Sequence, residues 1–264
     1  MSGGGRPAIV VHDVWLQYRT SPDRVTSFKE YIIRRLRGDL RVSEFWALRE
    51  VSFQVNPGEV LGILGRNGSG KTTLLKIIAR VLRPTRGRVV VRGLAAPLLG
   101  LGIGFNNELT GRENVFLAGA TLGFPAAEMR RRFDEIVDFA GIGEFIDMPI
   151  RTYSSGMRAR LGFAVATSIR PDVLLLDEVL AVGDLEFRDR CTERIGTFRE
   201  QGITTVLVSH SVQSILDICG RAILLDRGRM VIEGTPEEVV GRYHEVLKAR
   251  RGAGTERGDG PPKH

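Results

Sequence analysis

One stretch restricts the fold more than any other. Gly65-Arg66-Asn67-Gly68-Ser69-Gly70-Lys71-Thr72 matches the pattern G-x4-G-K-[ST], between an apolar run, Val60 to Leu64, and a helix-forming run from Lys71 to Leu82 that Pro84 closes. Glycines let backbone N–H groups converge on phosphate oxygens with no Cβ in the way, and the helix N-terminus adds its positive dipole end. Lys71 supplies a point charge, the Thr72 hydroxyl can ligate Mg²⁺, and Thr73 continues the first turn. Strand, loop and helix in that order predict a parallel sheet buried under helices, an α/β chain.

A second apolar run, Val173 to Leu176, ends in Asp177-Glu178. Strand alternation points these two carboxylates in opposite directions, so their roles differ. In a phosphate-loop ATPase, Asp177 is the expected Mg²⁺ partner and Glu178 is placed to orient or deprotonate the attacking water.

Around these motifs the chain alternates strands and helices. Ala8 to Val14 and Leu48 to Val55 read as strands, as do Val60 to Leu64 and Thr204 to Val208, and Ala222 to Ile232 reads as a hairpin around Arg227-Gly228. Helices are expected over Glu113 to Ala120, Ala126 to Ala140, from Ser154-Ser155 onward, and Pro236 to about Arg250. Between the first two strands, Ser21-Pro22 opens a basic amphipathic helix of about 21–38, with Val25, Phe28, Ile32 and Leu36 on one face and Arg24, Lys29, Arg34, Arg35 and Arg37 around the rest. Residues 251–264 are glycine-rich and polar and are read as a disordered tail.

Four blocks in order resemble the ATP-binding subunits of ABC transporters: the phosphate loop, Tyr153-Ser154-Ser155-Gly156-Met157, Asp177-Glu178, and Val208-Ser209-His210. The resemblance runs from Ile9 to Lys248. It implies a P-loop core with an N-terminal antiparallel β subdomain and a helical subdomain of about 109–168. It also implies that Ser154, Ser155 and Gly156 contact the nucleotide held by a second copy, that His210 hydrogen-bonds the γ-phosphate, and that Asp184 belongs to the D-loop. Tyr18 stands where an adenine-stacking ring is found, with Trp46 or Phe45 as further candidates.

A narrower likeness rests on Leu109-Thr-Gly-Arg-Glu-Asn114, Thr152 to Met157, Asp177 to Asp184 and Val208 to Ser211, which look like the ATP-binding subunits of bacterial polysaccharide exporters. Val179, where most ABC ATPases carry proline, fits that group. The likeness implies a homodimer that uses ATP and Mg²⁺, joined to two copies of a separate membrane permease. The cargo it implies is a polyprenyl-diphosphate-linked polysaccharide, moved across the inner membrane from its cytoplasmic face. It also gives the basic segment a place near that face, where its arginines would meet lipid headgroups or the substrate diphosphate. Two departures stand out. No glutamine occurs between Gln54 and Gln201, so no Q-loop ligand is assigned and Leu98 to Asn107 must couple differently. The chain ends soon after Arg250, without the carbohydrate-binding domain of some O-antigen relatives, which favours teichoic-acid-like or galactan-like cargo.

Composition narrows the alternatives. Nothing approaches the roughly 20 apolar residues of a membrane span, and residues 1–13 carry no apolar core of signal-peptide length, so a cytoplasmic location is expected. Cys191 and Cys219 lie 28 residues apart, without CxxC or a neighbouring histidine, and read as reduced core thiols. The formal charge of +7 would suit nucleic acid, but it is spread along the chain. The rival readings are another class of ABC transporter ATPase, or a soluble ABC protein acting on nucleic acid. Against the latter stand the lack of heptads and of a second phosphate loop, so no nucleic-acid partner is expected.

Overall fold

The computed structural model describes residues 6–20, 43–98, 104–177 and 184–255. Strands β1 (Ile9–Thr20), β2 (Ser43–Val55) and β4 (Arg86–Val91) form an antiparallel sheet in the order β2-β1-β4. A second sheet of six strands runs β5-β6-β7-β3-β8-β9, from β3 (Val60–Leu64), β5 (Ala95–Leu98), β6 (Val173–Asp177), β7 (Thr204–Ser209), β8 (Arg221–Asp226) and β9 (Arg229–Gly234). All its pairings are parallel except β8 with β9. Central β7 is buried at every position, as a strand covered on both faces must be. Edge strand β9 alternates instead, and Pro97, which has no N–H to give, is confined to the other edge.

Two apolar layers cover this sheet. Leu61, Ile63, Leu175, Val206 and Ile223 pack with α1 (Lys71–Ile78) and the antiparallel sheet. Leu64, Leu174, Leu176, Leu207 and Leu224 pack beneath α6 (Leu185–Glu200), α7 (Val212–Ile218) and α8 (Pro236–Thr255). Helix α7 comes so close to β3 that a Cβ at Gly62 would lie 2.8 Å from both Cys219 Sγ and Ile215 Cδ1. The α/β architecture with its N-terminal antiparallel sheet is the one expected.

Helices α2 (Gly111–Thr121), α3 (Ala126–Arg131), α4 (Phe133–Ala140) and α5 (Ser155–Ala166) gather around a third core that includes Val115, Met129, Ile136, Ile150 and Leu161. The sequence motif at Leu109 to Asn114 has a local explanation. Thr110 Oγ1 accepts from Glu113 N at 3.2 Å while Glu113 Oε2 accepts from Thr110 N at 2.8 Å, a capping box that satisfies two orphan donors of α2. This group joins the sheet core through aromatic contacts: Phe139 and Phe163 stack at 5.9 Å, both meet Phe187 of α6, and the guanidinium groups of Arg190 and Arg194 lie 4.8 and 4.5 Å from the Phe139 ring.

Several boundaries differ from expectation. The strand expected to stop at Val14 continues to Thr20, because Asp13 (φ +47) accommodates an irregularity without ending the pairing. The helix expected to reach Leu82 ends at Ile78, just before Arg80 takes a left-handed conformation (φ +61). The single helix expected over 126–140 is interrupted at Arg132 (φ −100, ψ 3). The last helix runs five residues beyond Arg250, into the stretch read as a disordered tail. Once a helix is nucleated each further residue adds a hydrogen bond, and no proline intervenes before Pro261. Residues 256–264 and the basic helix of about 21–38 lie outside the described residues. Among the described residues, no helix is long and apolar enough to cross a membrane.

Candidate functional site

The phosphate loop turns between the end of β3 and the start of α1. Its conformation requires glycine at two points: Gly68 and Gly70 have φ of +77 and +106, a region other residues rarely enter. Gly65 is held for room, since a Cβ there would collide with Leu225 O and lie 2.6 Å from Ser69 Oγ. Lys71 is 6% exposed and its Nζ donates to Gly65 O at 2.7 Å and Arg66 O at 3.0 Å, which draws the ammonium over the loop. Ser69 Oγ is buried with no hydrogen-bond partner among the described residues, a polar atom left over by the protein's own bonding.

Beside the loop opens a cleft of about 680 Å³. Asn67, Gly68, Gly70, Lys71, Thr72, Thr73 and Asp177 line one part, and Tyr18, Phe45 and Trp46 supply aromatic rings. All three expected stacking candidates therefore meet at one site. Tyr18 and Phe45 face each other across the β1–β2 pair at 5.4 Å, and Trp15 braces Trp46 edge-on at 5.5 Å. A cleft with rings, converging backbone donors, an ammonium, a hydroxyl and a carboxylate suits a nucleotide: rings for a base, the loop for phosphates. Thr72 and Asp177 offer hard oxygen ligands of the kind Mg²⁺ takes, and no Cβ intrudes at Gly68, so the donor set fits that group.

The remaining expected residues lie elsewhere. His210, exposed just beyond β7, lines a smaller pocket of about 150 Å³ with Leu98, Ser209 and Ser211; Asp177 borders both this pocket and the larger cleft. Ser154, Ser155 and Gly156 do not line the cleft of their own chain. Ser154 caps α5, accepting from Met157 N at 3.1 Å, and Ser154 and Ser155 are exposed at the helix N-terminus. Asp184 caps α6 by accepting from Phe187 N at 3.0 Å and pairs with Arg160 of α5. The Phe187 N–H and then Arg160 hold its carboxyl below the ordinary range. Glu178 lies outside the described residues, as do residues 99–103 of the segment expected to replace the Q-loop.

Two cleft residues escaped the sequence reading, Arg49 and Arg227. Arg49 sits in a plain strand pattern, and Arg227 was visible only as part of a hairpin turn. The cysteines play no part. Both are buried and unpaired, and desolvation pushes each thiol up to about 12.

Comparison with known proteins agrees with this geometry. The family profile described as "ABC transporter" matches residues 48–181. The "ABC transporter protein AbcA" of Aeromonas salmonicida is 47% identical over 211 residues, 80% of this chain and 68% of its own. The "O-antigen export system ATP-binding protein RfbB" of Myxococcus xanthus is 43% identical over 245 residues; the alignment covers 91% of this chain and only 56% of that protein. Among solved structures, the dimeric post-hydrolysis state of the ATP-binding cassette MJ0796 bound to ADP and Pi superposes with a TM-score of 0.66 at 21% identity, covering 86% of this chain and 98% of that one. At that identity the likeness speaks for the fold.

Proposed function

The chain belongs to the ABC transporter family of ATPases, and from that premise we propose that it is the ATP-hydrolysing subunit of an exporter of lipid-linked polysaccharide. The observation that carries the site reading is the convergence of the phosphate loop, Asp177 and three aromatic rings on one cleft. The cargo reading draws on the kinship with the O-antigen export protein and on the sequence blocks at 109–114 and 177–184.

In this reading Tyr18, with Phe45 and Trp46, holds the adenine. The backbone from Gly65 to Gly70 and the Lys71 ammonium hold the phosphates, and Thr72 and Asp177 would hold Mg²⁺, which would supply charge neutralisation. Glu178 orients the attacking water and His210 hydrogen-bonds the γ-phosphate. Ser154, Ser155 and Gly156 face outward at the α5 N-terminus, where they are available to the nucleotide of a second copy, and Asp184 flanks the same junction. Neither copy then holds a complete site, and hydrolysis requires a head-to-tail homodimer. Catalysis is positioning and charge neutralisation around a loose phosphoryl transition state.

Two copies would work with two copies of a separate transmembrane subunit, peripheral to the membrane at its cytoplasmic face. The cargo class is a polyprenyl-diphosphate-linked glycan. The test is depletion of the protein in its host, followed by analysis of lipid-linked glycans in the inner membrane. Accumulation of one such glycan, reversed by the wild-type chain but not by Glu178→Gln, is expected. No accumulation despite lost ATPase activity would overturn the cargo.

A further inference from the structure

Two arginines that line the nucleotide cleft sit at irregularities of the backbone. The register of β1 against β2 passes from Val14 opposite Val51 to Leu16 opposite Leu48, so one residue on β1, Trp15, faces two on β2, Arg49 and Glu50. Such a bulge re-aims the side chains it carries. Glu50 has a φ of +55, and the bulged Arg49 N–H donates to Gly228 O at 2.7 Å. Gly228 N in turn donates to Ser69 O at 2.9 Å. A line of backbone hydrogen bonds thus runs from the bulge, through the β8–β9 turn, into the phosphate loop.

That turn is itself unusual. Arg227 and Gly228 are its two central residues, with φ of +48 and +75, the arrangement of the tight hairpin turn that favours Asn-Gly, Asp-Gly or Gly-Gly. Gly228 meets the requirement, and a Cβ there would lie 2.5 Å from Ala47 O. Arg227 does not; an arginine in left-handed backbone is strained, and strain of this kind collects at functional sites. The Arg227 side chain is exposed and lines the cleft. Arg49 is half-buried, and its Nε is shut away from water with no hydrogen-bond partner among the described residues. The guanidinium of Arg49 borders the cleft, and its fork of donors suits an anionic ligand there.

We propose that Arg49 and Arg227 form a second cationic arm of the cleft, gripping the phosphate chain of a nucleoside polyphosphate together with Lys71. Guanidinium groups suit that task because their fork of donors matches phosphate oxygens. The proposal rests on the nucleotide reading above and adds to it two ligands outside the phosphate loop.

The test is competition by ATP, ADP and adenosine against a fluorescent ATP analogue on the full chain, for wild type, Lys71→Ala, Arg49→Gln and Arg227→Asn. Arg227→Asn carries the greater weight, because the residue is exposed and asparagine is preferred at that turn position. It is expected to raise the melting temperature by about 2 °C while weakening ATP and ADP roughly 10-fold, with adenosine unchanged. The ATP dissociation constant should also rise less steeply with salt than in wild type. Unchanged ATP affinity in Arg227→Asn, or an equal loss for adenosine, overturns the proposal. If wild type itself binds no ATP, the nucleotide reading fails first; if wild type binds and Lys71→Ala does not, an unaltered Arg227→Asn refutes the arginine arm alone.

Discussion

Replacement of Asn114 by alanine separates a structural network from mere bulk. Asn114 is fully buried in the first turn of α2, and its side chain makes four hydrogen bonds. Nδ2 donates to Asn106 O at 3.0 Å, Leu109 O at 3.1 Å and Thr110 O at 2.8 Å, and Oδ1 accepts from Asn106 N at 2.7 Å. Alanine leaves the part-buried Asn106 N–H without its partner, whereas Asn106 O, Leu109 O and Thr110 O each keep a backbone donor, from Leu109, Ile150 and Asn114. The unmet N–H costs about 1–3 kcal/mol and the lost side-chain donation to the carbonyls about 1 kcal/mol more, so the net loss is about 2–4 kcal/mol. For a chain of this length that is a fall in melting temperature of roughly 4–8 °C, read by differential scanning calorimetry. Asn114→Asp sharpens the argument, because it keeps the size but swaps the donor for a carboxylate facing three carbonyl oxygens. It should be less stable than Asn114→Ala at neutral pH, and the gap should narrow as pH falls and the carboxyl becomes a donor. A melting temperature within 1 °C of wild type for Asn114→Ala, or Asn114→Asp at least as stable as Asn114→Ala at neutral pH, would refute the reasoning.

Gly70→Ala places a Cβ 2.8 Å from Ala47 O at a φ of +106, and should cost about 2 kcal/mol or more together with nucleotide binding. Gly68→Ala, at +77 with open space around it, should cost only about 1 kcal/mol, and chemical denaturation of the pair checks the ranking. The Glu113 carboxyl is held below its usual range by the Thr110 backbone N–H, and that of Asp147 by Arg112. Folded values below unfolded ones mean stability that is present above the ordinary carboxylate range and is lost as pH falls through the folded values. The melting temperature of a Glu113→Gln, Asp147→Asn variant should therefore lie below that of wild type at pH 7, and the gap should close as pH falls below the ordinary carboxylate range. Cys191 and Cys219, with thiols pushed up to about 12, should resist iodoacetamide in the native protein at about pH 8 and react fully once it is unfolded.

Local, directional features were legible in the chain alone: the strand–loop–helix that begins at Val60, the carboxylate closing β6, the start of α5 at Ser154-Ser155, and from these the α/β class. Each depends on neighbours in the chain, where glycine geometry, apolar periodicity and capping act over a few residues. Helix α6 was not legible, because only Phe187, Cys191 and Phe198 of its 16 residues are buried, too sparse a stripe to betray a face. Its role as the seat for Phe139 depends on arginines that read as solvated charge until the fold lays them on a ring. The cleft itself belongs to tertiary structure. Tyr18 and Phe45 meet because β1 pairs with β2, Asp177 and Thr72 share the cleft because β6 and β3 flank β7, and Arg227 arrives from a turn 156 residues beyond Lys71 in the chain. Side chains that share no sequence neighbourhood leave no joint signal in a single chain; only pairing of distant strands, driven by burial of their apolar faces, brings them to one ligand.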